Sequence, residues 1–230
     1  MIGSTINQFY IQSPSGSNVN PPVPGTMYQV GLVTNQSVNF APFSENDEFG
    51  YCYILINSAD FLAAGLPNAG TINGLAINNV PSSIPLPASG WTMENQCLYL
   101  GLAPDQTWVG TVVENINQTN GRNTTNWQQV IGNGVNGTSF TNIPNVQQWT
   151  NIPFTNSYTY DLIASQMSTL VLKFENRQDP NFRSGGFENS FSWQSPGNND
   201  QCFYNVQFSS YPTSSANGAF QRPVIQLFIS

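Results

Sequence analysis

The chain has no histidine and one lysine, Lys173; with four arginines and twelve carboxylates, 7% of its 230 residues are charged. Without an imidazole neither a Ser-His-Asp triad nor a Cys-His pair can be built, which removes the commonest hydrolase machinery. Basic residues are too few and too scattered to neutralise a run of phosphates, and a net charge of −7 with a pI near 4.1 opposes both nucleic acid and anionic lipid headgroups. No nucleic-acid partner and no membrane contact are expected. Long apolar runs are also missing: nothing approaches the roughly 18 residues of a membrane span. The start, Met1 to Gln8, has neither the basic segment nor the apolar stretch of a secretory leader. If Met1 is the native start, this predicts synthesis in the cytoplasm. Cysteine is scarce as well: Cys52, Cys97 and Cys202 lie far apart, each inside a strand-like run, with no CxxC pair. An odd, widely spaced set argues against a disulfide framework or a zinc site and suits small buried apolar side chains, with one long-range bridge as the alternative.

What the chain does have is amide and aromatic: 30 Asn, 18 Gln, and 29 Phe, Tyr and Trp. The aromatics supply a core that a disordered tail could not. A surface of Asn, Gln, Ser and Thr loses little side-chain entropy when covered and hydrogen-bonds without desolvating a full charge, which suits packing against copies of itself or other structural proteins. Compositional drift combined with an extracellular habit is the alternative explanation.

Nineteen Gly and sixteen Pro are spread over the whole length and leave no room for a long amphipathic helix, so the chain reads as all-β. Residues 1–26 read as an extended Pro/Ser/Asn-rich arm that needs a partner surface, and 27–230 as one β-sandwich or jelly roll with long polar loops. Strands are predicted at 27–33, 37–40, 49–57, 71–77, 96–100, 108–114, 127–131, 148–154, 170–174, 187–193, 202–208 and 223–229. Only 58–66 reads as helix, capped by Ser58 and stopped by Gly65. Loops at 81–90, 115–126 and 179–186 are where contacts would be made.

No arrangement of residues stands out as catalytic. Glu45-Asn46-Asp47-Glu48 offers closely spaced oxygens for Ca²⁺ but lacks the mid-loop Gly and closing Glu of the twelve-residue calcium loop, and a solvated turn is favoured. Glu94, Glu114, Glu175 and Glu188 lie in or near strands, and a glycosidase-like pair among them is the remaining enzymatic option, with nothing in the spacing to select one. Otherwise no catalytic residue, metal ligand or cofactor site is expected. Trp127, following Arg122 and Asn123, is the best candidate for an exposed contact, since a ring face beside amides suits a sugar or a partner protein. Trp149 and Trp193 fit the core. Asn35, Asn117, Asn123 and Asn136 match the glycosylation sequon, as chance alone would produce in so Asn-rich a chain.

Five runs spread over two-thirds of the chain carry a resemblance: Gly70-Thr71-Ile72-Asn73-Gly74-Leu75-Ala76-Ile77; Leu98-Tyr99-Leu100-Gly101; Trp149 to Phe154 with Tyr158 and Tyr160; Leu170-Val171-Leu172; and Arg222-Pro223-Val224-Ile225. In this order they resemble the β-sandwich modules of Bacteroidetes-type surface adhesins, modules also found in virion surface proteins. The resemblance implies a jelly-roll-like fold and a binding or structural role, with no catalytic set to carry over. The chain departs from the adhesins in lacking a leader and a C-terminal sorting domain, which moves the expectation toward a virion component: a capsid, capsid-decorating or tail/fibre subunit made in the host cytoplasm and assembling with itself. A cell-surface adhesin or carbohydrate-binding module, meeting a host-surface glycan, is the alternative.

Overall fold

The computed structural model describes residues 22–31, 36–38, 49–80, 91–104, 124–133, 137–143, 148–177, 192–195, 198–207, 217–221 and 223–230. The described residues form thirteen strands and two short helices. The strands are β1 (Thr26–Val30), β2 (Gln36–Val38), β3 (Phe49–Asn57), β4 (Ala69–Val80), β5 (Trp91–Ala103), β6 (Thr125–Ile131), β7 (Thr138–Ile143), β8 (Gln148–Asp161), β9 (Thr169–Arg177), β10 (Ser192–Ser195), β11 (Asn198–Gln207), β12 (Asn217–Gln221) and β13 (Ile225–Ile229). The helices are α1 (Ser58–Ala64) and α2 (Leu162–Ser165).

Two antiparallel sheets result. In the first, β1, β13, β4 and β8 lie side by side, with β10 continuing along β4 and β2 along β10. In the second, β3, β9 and β5 are central, β6 and β7 pair with β5, and β11 then β12 extend beyond β3. Taking β1, β3, β4, β5, β6, β8, β9 and β13 as eight strands in chain order, the first sheet runs first, eighth, third, sixth and the second runs second, seventh, fourth, fifth. That interleaving of two Greek keys is the strand order of a jelly roll.

Alternation along each strand builds the core. Ile54 and Ile56 of β3, Leu98, Leu100 and Leu102 of β5, and Leu170, Leu172 and Phe174 of β9 meet Ile72, Leu75 and Ile77 of β4, Tyr158 and Tyr160 of β8, and Ile225, Leu227 and Ile229 of β13 in one buried cluster. Burying one such aliphatic side chain is worth about 1.5–3 kcal/mol. At the β6–β8 edge the two sheets are laced by hydrogen bonds from Gln128 Nε2 to Ser157 O (2.9 Å) and from Tyr158 OH to Asn126 O (3.2 Å).

The helices sit where β3 turns into β4 and β8 into β9. Asn57, not Ser58, caps α1: the Asp60 N–H donates to Asn57 Oδ1 (3.1 Å) and the Asn57 N–H to Asp60 Oδ2 (2.9 Å), a reciprocal box that leaves the Ser58 side chain outside it. Gly65 ends the helix at φ 67°, the left-handed conformation a residue without Cβ adopts freely. Phe61 and Tyr160 meet edge-on at 6.0 Å, and the Leu162 N–H donates to Asn68 O (2.9 Å), so both helices lie at one end of the sandwich.

Several elements extend beyond their predicted bounds, and β1 starts at Thr26, one residue inside the predicted arm. The remainder of the arm before Pro22, the predicted strand 108–114, and the loops 81–90 and 179–186 lie outside the described residues.

Candidate functional site

Strand β9 has two different faces. Leu170, Leu172 and Phe174 enter the core, while Val171, Lys173, Glu175 and Arg177 point to the opposite side of the second sheet. That outward face is buried rather than wet: Tyr51, Tyr53, Leu55, Ala103 and Val171 form a second apolar cluster, with Trp127 packed against it. The chain's one lysine is placed here, fully buried.

The charges form a ladder at i, i+2 and i+4. Lys173 Nζ lies 2.5 Å from Glu175 Oε1, and Arg177 Nε donates to Glu175 Oε2 at 2.6 Å, so each carboxylate oxygen is engaged by a cation. Arg177 also donates to the Tyr99 hydroxyl at 2.8 Å. Register supplies the rest of the enclosure: Tyr53 and Tyr99 flank Lys173, and Tyr51 and Cys97 flank Glu175. The Lys173 ammonium stands 5.7 Å from the Tyr53 ring centroid, 5.8 Å from Tyr99 and 5.9 Å from Tyr51, at cation–π range of all three.

The surrounding groups respond to burial and to this charge. Burial pushes the Cys97 thiol up to about 11, with Arg177 pulling it back and Glu175 adding to the rise. Burial, then Glu175, raises the Tyr99 phenol well above its ordinary value. Burial opposes the Arg177 charge, and Glu175 more than restores it, leaving the guanidinium above its usual range. A thiol held protonated is a poor nucleophile. Of the four strand glutamates weighed as a glycosidase pair, only the Glu175 side chain is described, and it faces two cations. The chemistry available on this face is mutual neutralisation. Its physical effect is alignment, because charges taken out of water hold their partners in one arrangement.

Trp127, the leading contact candidate, belongs to this same face. Its ring lies over Gly101, where a Cβ would come within 2.8 Å of it, and stands 6.3 Å from the Tyr53 ring. The indole is part-buried, and its Nε1 has no hydrogen-bond partner among the described residues. Arg122 and Asn123 lie outside the described residues, as do Glu45 to Glu48 and all four sequon asparagines. Trp149 is only part-buried, on β8, and the side chain of Trp193 lies outside the description. Cys52 and Cys97 are both buried thiols. Among the described residues no group of His, Cys, Asp and Glu is placed to hold a metal ion, and no helix is long and apolar enough to cross a membrane.

Sequence reasoning misses the ladder because it ends the strand at Phe174. The signal is nonetheless present: Lys173, Glu175 and Arg177 alternate with Leu172, Phe174 and Asn176 at period two, and opposite charges two residues apart on a strand are neighbours. The chain matches no family model, no curated protein and no solved structure.

Proposed function

We propose that the chain is a non-enzymatic virion structural protein, a capsid, capsid-decorating or tail/fibre subunit, that acts by assembling with copies of itself and with other structural proteins. The observation that carries this reading is the jelly-roll strand order in a chain with 7% charged residues and no histidine. Jelly rolls build capsids and lectin domains, and a charge-poor, amide-rich exterior is covered at little desolvation cost. The helical end adds support: Leu62 of α1 is 85% exposed and Ile163 of α2 is 73% exposed, two apolar tips on one end of the sandwich. Covering both is worth about 3–6 kcal/mol gross. Association costs about 4–15 kcal/mol, so these tips serve as one contact among several.

The test is the mass of the full-length protein in solution by light scattering at low and high concentration, with electron microscopy of what forms. A defined oligomer or particle is expected. A monomer at every concentration sinks the reading. The second reading, an adhesin or carbohydrate-binding module, draws on Trp127, whose indole N–H is unpaired among the described residues. A glycan array separates the two, because assembly requires no sugar.

A further inference from the structure

The outward face of the first sheet is covered as well. Ala76 and Asn78 of β4 and Gln226 and Phe228 of β13 alternate with the core residues Leu75, Ile77, Ile225 and Leu227, so they point away from the core, as does Val224 just before β13. All five are nonetheless between 0% and 7% exposed. Register places Asn151 beside Ala76, Trp149 beside Asn78, and Gln29 beside Gln226. The patch they make holds no charge. Asn78 Oδ1 is buried on it with no hydrogen-bond partner among the described residues.

The N-terminal segment leads onto this face. Val23 Cγ1 lies 2.7 Å from where a Cβ on Gly74 would stand, so only glycine lets it seat there. Asn73 Nδ2 donates to Pro24 O (3.2 Å) and to Ser230 Oγ (3.1 Å), and Gly25 lies directly against the backbone of Ile229. The 21 residues before Pro22 contain no Asp, Glu, Lys or Arg, and include the apolar run Phe9-Tyr10-Ile11. An uncharged, amide-rich strap is the natural occupant of an uncharged face with an unfilled amide acceptor. At about 3.5 Å per residue it extends to about 70 Å, whereas crossing four strands takes under about 20 Å at about 4.8 Å per strand.

We propose that this face is the docking surface for residues 1–21 of a neighbouring copy, exchanged between subunits; the inference rests on the assembly reading above. Exchange replaces like with like, since the same contacts form within or between copies, and the arm's surplus length carries it across.

The test uses full-length protein with Phe9→p-benzoylphenylalanine, mixed and co-assembled from ¹⁵N-labelled and unlabelled copies, irradiated, and mapped by mass spectrometry. The expected result is a set of mixed-isotope links from residue 9 to peptides spanning 69–80 or 223–230, together with loss of assembly when residues 2–21 are deleted. Links confined to one isotope, or landing elsewhere, in a protein that still assembles overturn the exchange and leave the assembly reading standing. A full-length protein that never assembles overturns that reading, and the exchange with it.

Discussion

Replacing Glu175 with Gln keeps the shape of the side chain and removes the charge on which two buried cations depend. Lys173 and Glu175 are fully buried and Arg177 nearly so, at 8% side-chain exposure. Breaking a buried pair by removing one partner costs about 3–5 kcal/mol, because the charge left behind has no water to turn to. Here both Lys173 and Arg177 lose their counter-ion, which places Glu175→Gln at the upper end, about 5 kcal/mol. Whole-domain stabilities are about 5–15 kcal/mol, so the variant forfeits a third or more of the total. At about 2–4 °C per kcal/mol for a chain of this size, the melting temperature falls by about 10–20 °C. Lys173→Met leaves the Glu175–Arg177 pair intact and is expected to cost less. The triple variant Lys173→Met, Glu175→Leu, Arg177→Met is also expected to cost less than Glu175→Gln alone, because no charge is stranded. Urea unfolding followed by circular dichroism measures all three variants. A loss below about 1 kcal/mol for Glu175→Gln, in the range of an exposed pair, would refute the claim that the ladder is dry.

Other consequences follow from the same packing. Cys97 is held protonated in the fold up to about 11 against an ordinary value of 9.0. The stability this represents is fully present below pH 9 and is lost between 9 and 11 at about 1.4 kcal/mol per pH unit; urea midpoints across that window should fall, more steeply for wild type than for Cys97→Ala. Gly101→Val drives a side chain into the Trp127 ring and Thr124 Cγ2; a loss of about 1–3 kcal/mol and a shifted tryptophan emission are expected, and unchanged emission would separate Trp127 from that surface. Asn57→Ala should cost about 1 kcal/mol and Ser58→Ala less than half as much, read as urea midpoints, because Asn57 is the cap; equal costs would contradict the assignment.

Period-two patterning makes most of the fold legible. The run Phe49 to Asn57 is predicted with its true bounds, and the β4, β6, β9 and β13 segments fall within a few residues of theirs, because alternating or continuous apolar residues between Gly, Pro and Asn leave few other solutions. Strand β8 is predicted at half its length, since Pro153 and the polar residues after it resemble a loop. Four residues of β8, 154–157, are accommodated opposite Asn73 by a register shift that only the partner strand reveals. Helix α2 escapes because four residues are too few for a helical period. Strands β7 and β12 escape because their residues are mainly Thr, Asn and Gly.

Composition and spacing alone settle chemistry and class: without histidine there is no imidazole catalysis, Lys and Arg are too sparse to line a run of phosphates, and the rhythm of apolar residues makes the chain an all-β sandwich. Which side of each strand is wet is settled in three dimensions. Alternation says that Lys173, Glu175 and Arg177 share a face, as do Ala76 and Asn78 on β4 and Gln226 and Phe228 on β13, and a single strand leaves that face to solvent by default. Whether it is covered depends on what packs over it from elsewhere in the chain. That cover turns three surface charges into a dry ladder, and it turns a row of amides into the buried patch toward which the N-terminal segment leads.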